Sequence, residues 1–179
     1  ACIEGDLDGT SFVIDGDLAV RLRLPGPHHA TNAALAYAVG RWMGLSGEAI
    51  GARLYSFEPT AGRTRRVELG DVTLIDDCYN ANPSSMMAAL DILATVRGRR
   101  RVFVMGDTME LGAASAAWHR RIGQCAASAG VDVMIAAGRL ARAAAEAAAA
   151  AGVAEIVVCD DACDAADLAA QRVGDGDVV

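Results

Sequence analysis

The sequence predicts an α/β protein: a mostly parallel sheet flanked by helices, preceded by a smaller unit of a hairpin and helices. Three observations predict it. From Val72 onward, short apolar runs alternate with helical stretches, the pattern of repeated βαβ units around a sheet covered on both faces. Ahead of them, residues 11–24 alternate apolar and polar about an Asp15-Gly16 turn signal. Between the two lie residues 59–66 (PTAGRTRR), polar and rich in breakers, where the domain boundary is expected.

In the first unit SFVI reads as one strand, and Leu18, Val20, Leu22 and Leu24 place the apolar face of a second, ended by Pro25-Gly26-Pro27. Residues 31–43 fit a helix with Leu35, Val39 and Trp42 on one stripe and Gly44 as its stop. Ser46 is placed to cap a short helix carrying Ile50, Leu54 and Phe57. In the second unit, residues 67–69 and 72–75 flank Gly70-Asp71, another hairpin signal. The strands expected are 72–75, 101–105, 132–136, 155–158 and the start of one at 177–179; the helices are 83–96, 114–129, 139–151 and 162–172. The Ala-rich run near residue 150 reads as a helix, since Ala has the best helix propensity. Trp42 and Trp118 fall on helical faces and are expected in a core or an interface, and residues 97–101 (RGRRR) read as a solvated turn. The chain opens in what reads as the middle of a domain and stops as a strand begins, so a piece of a longer protein is expected.

Composition narrows the chemistry. A net charge of −7 argues against a nucleic-acid surface, and no apolar run approaches the roughly 20 residues of a membrane span. The five cysteines (Cys2, Cys78, Cys125, Cys159, Cys163) lack CxxC pairing and read as buried or idle thiols in a reducing, cytoplasmic setting. With three histidines a zinc site is not expected. All 16 basic residues are arginines. A chain without lysine carries no Walker A lysine, no Schiff-base lysine and no carbamylated lysine of its own.

Ligands of open parallel sheets gather beyond the carboxyl ends of the strands. Three stretches lie there: Asp76-Asp77-Cys78-Tyr79-Asn80-Ala81-Asn82, residues 106–112 (GDTMELG) and Cys159-Asp160-Asp161. Asn82 before Pro83 is an ordinary helix start, and Asp77 could cap a turn, but that leaves the other polar residues idle. Paired carboxylates at a strand end suit a ribose diol, a cation or an ammonium group. GDTMELG is no dinucleotide fingerprint, since GxGxxG is absent; its two glycines allow close approach of a ligand or domain. Arg63 is a solvated charge or a phosphate clamp. His28 and Asn32 are spaced i, i+4 and share a helix face, where local hydrogen bonding is the plainer role.

Taken together, LPGPHHATNAALA (24–36), AGR (61–63), IDDCYNANPSSM (75–86) and VMGDTMELG (104–112), with His119 following, resemble the ATP-dependent Mur ligases of peptidoglycan synthesis. Within that family the YNANP and GDTMELG segments resemble the branch that adds D-alanyl-D-alanine to UDP-N-acetylmuramoyl-tripeptide. The resemblance implies that residues 1–62 are the end of a central ATP-binding domain and residues 63–179 most of a Rossmann-like C-terminal domain. It implies ATP and Mg2+ as cofactors, held mainly by parts preceding Ala1, where the P-loop and the carbamylated lysine would lie. It places Asn32 at adenine, Arg63 and Asp77 at ribose or phosphates, and His28 nearby. Tyr79, Asn80, Asn82, Asp107 and Glu110 would border the entry of D-alanyl-D-alanine. The reaction implied is acyl-phosphate formation followed by attack of an amine, with this chain alone inactive. His29 stands where many family members have Asn, and Thr108-Met109 also departs from the usual pair. A folylpolyglutamate-type amide ligase and a stand-alone Rossmann-like binding module are the alternatives.

Overall fold

The computed structural model describes residues 3–16 and 18–179; Cys2 lies outside the described residues. The first unit is a three-stranded antiparallel sheet of β1 (Ile3–Asp6), β2 (Gly9–Ile14) and β3 (Leu18–Leu22), with α1 (His28–Trp42) and α2 (Gly47–Tyr55). β1 was not expected. All four of its residues are exposed, so it carries no alternating apolar signal; its turn into β2 closes because Asp6 Oδ1 accepts the N–H groups of Asp8 (2.8 Å) and Gly9 (3.1 Å). Phe12 pairs with Val20, and both join Leu22, Leu24, Ala30 and Ala33 in a core. The fully buried Thr10 hydroxyl lies 2.9 Å from the carbonyls of both Leu24 and Gly26, pinning the Pro-Gly-Pro segment that leads into α1.

α1 begins at His28, three residues before the expected 31, and it buries Ala30, Ala33, Tyr37 and Gly40. The Leu35, Val39 and Trp42 stripe faces outward instead, with Trp42 87% exposed, so of the core or interface expected for it the core is excluded. Small residues win that face because the helix lies close to its neighbours. A Cβ on Gly40 would sit 2.8 Å from Ile50 Cδ1 of α2.

The second unit opens with the antiparallel pair β4 (Arg65–Leu69) and β5 (Val72–Asp76), turned at Gly70 with φ 64°. β6 (Val102–Met105), β7 (Val133–Ala137) and β8 (Glu155–Cys159) are parallel neighbours. Residues 177–179 join the two pieces: Val178 bridges Thr73 on one side and Arg101 on the other, both in parallel. The order is therefore β4-β5-Val178-β6-β7-β8, and β5 through β8 all end at one edge. Side-chain alternation assigns the two faces. Phe103, Met105, Met134 and Ala136 pack under α3 (Pro83–Thr95), α4 (Ser115–Ser128) and α5 (Arg142–Ala150). Val102, Val133, Ile135 and Ala137 face α6 (Ala162–Arg172). Where α4 meets α5, a Cβ on Gly123 would lie 2.0 Å from Ala144 O, so only glycine allows that approach.

The amino end of the sheet corrects the reading of RGRRR as a solvated turn. Arg99 donates to the carbonyls of Asp71, Gly176 and Asp177 and to Thr73 Oγ1. Arg100 reaches Arg172 O, Asp177 and Glu155. Arg101 reaches Val96 O, Ala129 O and Gly130 O. These partners are backbone carbonyls of turns and helix ends together with a hydroxyl and two carboxylates, and guanidinium, with five donors in a fixed fork, meets several at once. Among the described residues no helix is long and apolar enough to cross a membrane.

Candidate functional site

At the carboxyl end, the loop after β5 is sewn to the segment that connects the two units. Asp76 Oδ2 accepts Gly62 N–H at 2.9 Å, and Tyr79 N–H returns to Gly62 O at 3.0 Å. Asp77 Oδ1 accepts both the N–H (2.8 Å) and the hydroxyl (3.1 Å) of Thr64. Gly62 holds φ 76°, and a Cβ there would meet Tyr79 N at 2.9 Å, so glycine is required. The Cys78 thiol donates to Asp76 Oδ1 at 3.0 Å. That bond, helped by Gly62 N–H and opposed by burial, holds Asp76 below the usual carboxylate range; the same carboxylate pushes the Cys78 thiol up, away from the reactive thiolate. Cys78, Cys125, Cys159 and Cys163 are all free thiols.

Arg63 lies over the Tyr79 ring, 4.1 Å from its centroid. Tyr79 is 68% exposed and Asn80 is exposed beside it. Asn82 is committed to α3: its Oδ1 accepts Ser85 N–H at 3.0 Å, and its own N–H is met by Ser85 Oγ at 3.2 Å, a complete capping box with Pro83 at the first helical position.

The loop after β6 is held from several directions. Asp107 Oδ1 accepts Leu140 N–H (2.8 Å) and Ala141 N–H (2.7 Å) at the start of α5. Thr108, buried, gives its N–H to His119 Nε2 at 3.1 Å and its hydroxyl to Met86 Sδ at 3.2 Å. His119 has no exposed surface, and its Nδ1 sits 2.8 Å from Ser115 O, which assigns the proton to Nδ1. Sequence reasoning gave His119 no physical role, because its partner is a backbone N–H. Beyond this anchor Met109 and Glu110 are exposed, Glu110 with φ 62°. At the end of β8, Asp161 caps α6 through the N–H groups of Cys163 and Asp164, and Asp160 pairs with Arg142 at 2.9 Å.

Across the junction stands the start of α1. The His28 and His29 rings lie with centroids 4.0 Å apart and planes tilted by 41°, and His28 Nδ1 and His29 Nε2 are buried without a hydrogen-bond partner. Burial pushes His28 down, against the pull of Asp77 and Asp91 in the second unit. Burial and the neighbouring His28 push His29 down to about 4. Asn32, one turn on from His28, is exposed. His28 from one unit thus meets Asp77 of the other, with Arg63 of the connection over Tyr79 alongside, and Asn32 stands exposed one turn further along α1. Asn82, Asp107 and Asp161 each hold a helix start through Oδ1.

The free groups here are an amide, a guanidinium and a carboxylate whose Oδ2 makes no hydrogen bond among the described residues. These are the groups that suit a base, a phosphate and a sugar diol, so the residues fit a nucleotide. A cation is not fitted: among the described residues no group of three His, Cys, Asp or Glu side chains is arranged to hold one.

An open α/β unit with its connection stapled across the carboxyl edge of a parallel sheet defines the class, and the chain belongs to the Mur ligase family: residues 62–179 match the family described as Mur ligase, glutamate ligase domain. It is 40% identical over 139 residues to the UDP-N-acetylmuramoyl-tripeptide–D-alanyl-D-alanine ligase of Escherichia coli K12, covering 75% of this chain and 30% of the relative. A crystal structure of MurF from Acinetobacter baumannii superposes with a TM-score of 0.82 at 30% identity, covering 98% of this chain and 39% of that one. MurF of Thermotoga maritima in complex with ADP shares the fold at 23% identity, with a TM-score of 0.79, covering 100% of this chain and 41% of that one. The chain spans well under half the length of each of these relatives.

Proposed function

We propose that this chain forms the C-terminal wall of the nucleotide cleft of a cytoplasmic ATP-dependent ligase that joins D-alanyl-D-alanine to UDP-N-acetylmuramoyl-tripeptide in peptidoglycan precursor synthesis. The observation that carries the reading is the meeting of His28 from the first unit with Asp77 from the second, beside Arg63 over the Tyr79 ring, with the exposed Asn32 one turn on from His28. The named relatives and the ADP complex of one of them support it. ATP, when bound, supplies the phosphoryl group that activates a carboxylate as an acyl phosphate.

The residues of this chain bind and orient. Asn32 offers its amide to the adenine edge, and His28 closes the apolar side of the same pocket as a neutral imidazole. Asp77 accepts from the ribose hydroxyls. Arg63 is steadied over Tyr79 and turns its donors toward phosphate, in keeping with the dependence of phosphoryl transfer on positioning and charge neutralisation. Tyr79, Asn80 and Glu110 border the entry of the D-alanyl-D-alanine amine. Asn82 and Asp107 keep α3 and α5 in register behind that border. The lysines and Mg2+ that phosphoryl transfer ordinarily uses come from outside these residues.

An amide NMR titration tests the reading. ADP is expected to shift Asn32, Arg63 and Asp77, and D-alanyl-D-alanine to shift residues 79–80 and 109–112, with Asp160 and Asp161 unmoved. Shifts confined to the edge near Asp160 would overturn the assignment. Phosphate release above background from this chain with ATP and both substrates would overturn its dependence on the missing lysines.

A further inference from the structure

Thr64 is a β-branched residue at φ 52°, a left-handed conformation that such side chains rarely adopt. It is 6% exposed although it lies in a polar connecting segment between the exposed Arg63 and Arg65. Its N–H and its hydroxyl both end on one atom, Asp77 Oδ1, at 2.8 and 3.1 Å. Strain of this kind persists only where surrounding bonds hold it, and it concentrates where a site is being shaped. Either bond alone would close the turn. The second, from the side chain, fixes the rotation of the carboxylate, and it leaves Oδ2 without a hydrogen bond among the described residues.

We infer that Thr64 is a positioning residue for nucleotide binding: by clamping Asp77 through Oδ1 it presents Oδ2 to the sugar hydroxyls of the ligand. This rests on reading Asp77 as the carboxylate that meets the nucleotide. The neighbouring Asp76 is held differently, by Gly62 N–H and the Cys78 thiol on separate oxygens, so both of its oxygens are engaged and none is presented. The clamp also places the connection between the units under the control of the same carboxylate. A nucleotide that tightens on Asp77 therefore tightens the hinge beside Arg63.

The test is the dissociation constant of ADP, with the melting temperature alongside, for the unaltered chain, Thr64→Val, Thr64→Ser, Thr64→Gly and Asp77→Asn. Thr64→Val keeps the shape and the strain and loses only the hydroxyl. It is expected to weaken ADP by about threefold to tenfold, since one of two bonds to a charged acceptor is gone. Thr64→Ser restores the hydroxyl and is expected to bind within about twofold of the unaltered chain. Thr64→Gly relieves the left-handed strain, so it melts no lower than the unaltered chain and still binds as weakly as Thr64→Val. If Thr64→Val and Thr64→Gly bind ADP normally while Asp77→Asn does not, the inference fails and the nucleotide reading stands. If Asp77→Asn binds normally, or if the unaltered chain binds no ADP, the nucleotide reading fails and takes the inference with it. Affinity that merely tracks melting temperature across the three Thr64 variants assigns Thr64 a structural role only, and overturns the inference.

Discussion

At the amino end of the parallel strands Arg99, Arg100 and Arg101 give their donors to backbone carbonyls of the turns and helix ends around them, and Arg100 pairs with the buried Asp177. At the carboxyl end the charged groups are spent only in part. Asp107 and Asp161 hold helix starts and Asp77 holds Thr64, each through Oδ1 alone; Arg63 rests on a tyrosine ring, and two buried imidazole nitrogens have no partner. The amino end is not wholly finished, since Arg101 Nε is buried there without a partner, but the carboxyl end is the less finished of the two. Buried polar groups are ordinarily satisfied, so the unfinished end is where a ligand or another part of the protein belongs. The difference separates charge that holds the fold from charge that waits for a partner.

The largest expected effect breaks the finished end. Arg101→Met keeps the aliphatic stem and removes the donors to Val96 O, Ala129 O and Gly130 O. Carbonyls left without a partner at the ends of α3 and α4 cost about 2–3 kcal/mol, which lowers the melting temperature by about 5–10 °C for a chain of this size. ADP affinity is expected to stay within about twofold, because no atom of the cleft moves. A loss of affinity as large as the loss of stability would mean the two ends are one cooperative unit, and the contrast between them would fall.

Next comes the pair of adjacent carboxylates at the unfinished end. Asp77→Asn removes a charged acceptor with a free oxygen and is expected to weaken ADP about tenfold to hundredfold, with a melting temperature near that of the unaltered chain. Asp76→Asn disturbs the bonds from Gly62 N–H and the Cys78 thiol, so about 1 kcal/mol of stability goes and affinity changes less. Titration calorimetry with parallel melts separates the two. The reverse result, Asp76→Asn losing affinity and Asp77→Asn losing only stability, would put the ligand-facing carboxylate one residue earlier.

The unequal legibility of the two ends follows from the range of their interactions. The βαβ alternation, the Gly70-Asp71 turn and the Asn82-Pro83 helix start depend on residues within a few positions of one another, and periodicity and cap chemistry report them directly. Arg99 meets Gly176 and Asp177, and Asp107 meets Leu140 and Ala141 33 and 34 residues away; no local pattern announces such bonds. The same holds for His119, whose partner Thr108 offers a backbone N–H rather than a recognisable side chain. On α1 the apolar stripe of Leu35, Val39 and Trp42 outweighed Ala30, Ala33 and Gly40 on any hydrophobicity count, yet the small residues took the packed face because they allow close approach. The candidate site was legible as residue types at a strand end. Which of them are free was not, because freedom is set by the connection folding back through Gly62 and Thr64.

The smallest expected effect sharpens the contrast by pH. Burial lowers His29 to about 4 and lowers His28 in the same direction. In the unfolded chain both imidazoles titrate near 6.5. Between those values the unfolded chain binds more protons than the folded one, so stability falls as pH drops from about 6.5 to about 4 and the loss is complete below that. Asp76, held below its usual range, acts in a separate and lower window: its contribution is present above about 3.8 and is lost only as the pH falls further. Melting the chain at pH 7 and at pH 5 should therefore show a fall of a few degrees, on the order of 1 kcal/mol once the partial exposure of the ring is allowed for. In His29→Asn that fall should shrink, while Arg101→Met should show it in full on a lower baseline. A pH 7 to pH 5 difference that survives unchanged in His29→Asn would place the titrating group elsewhere and leave the buried imidazole pair out of the unfinished end.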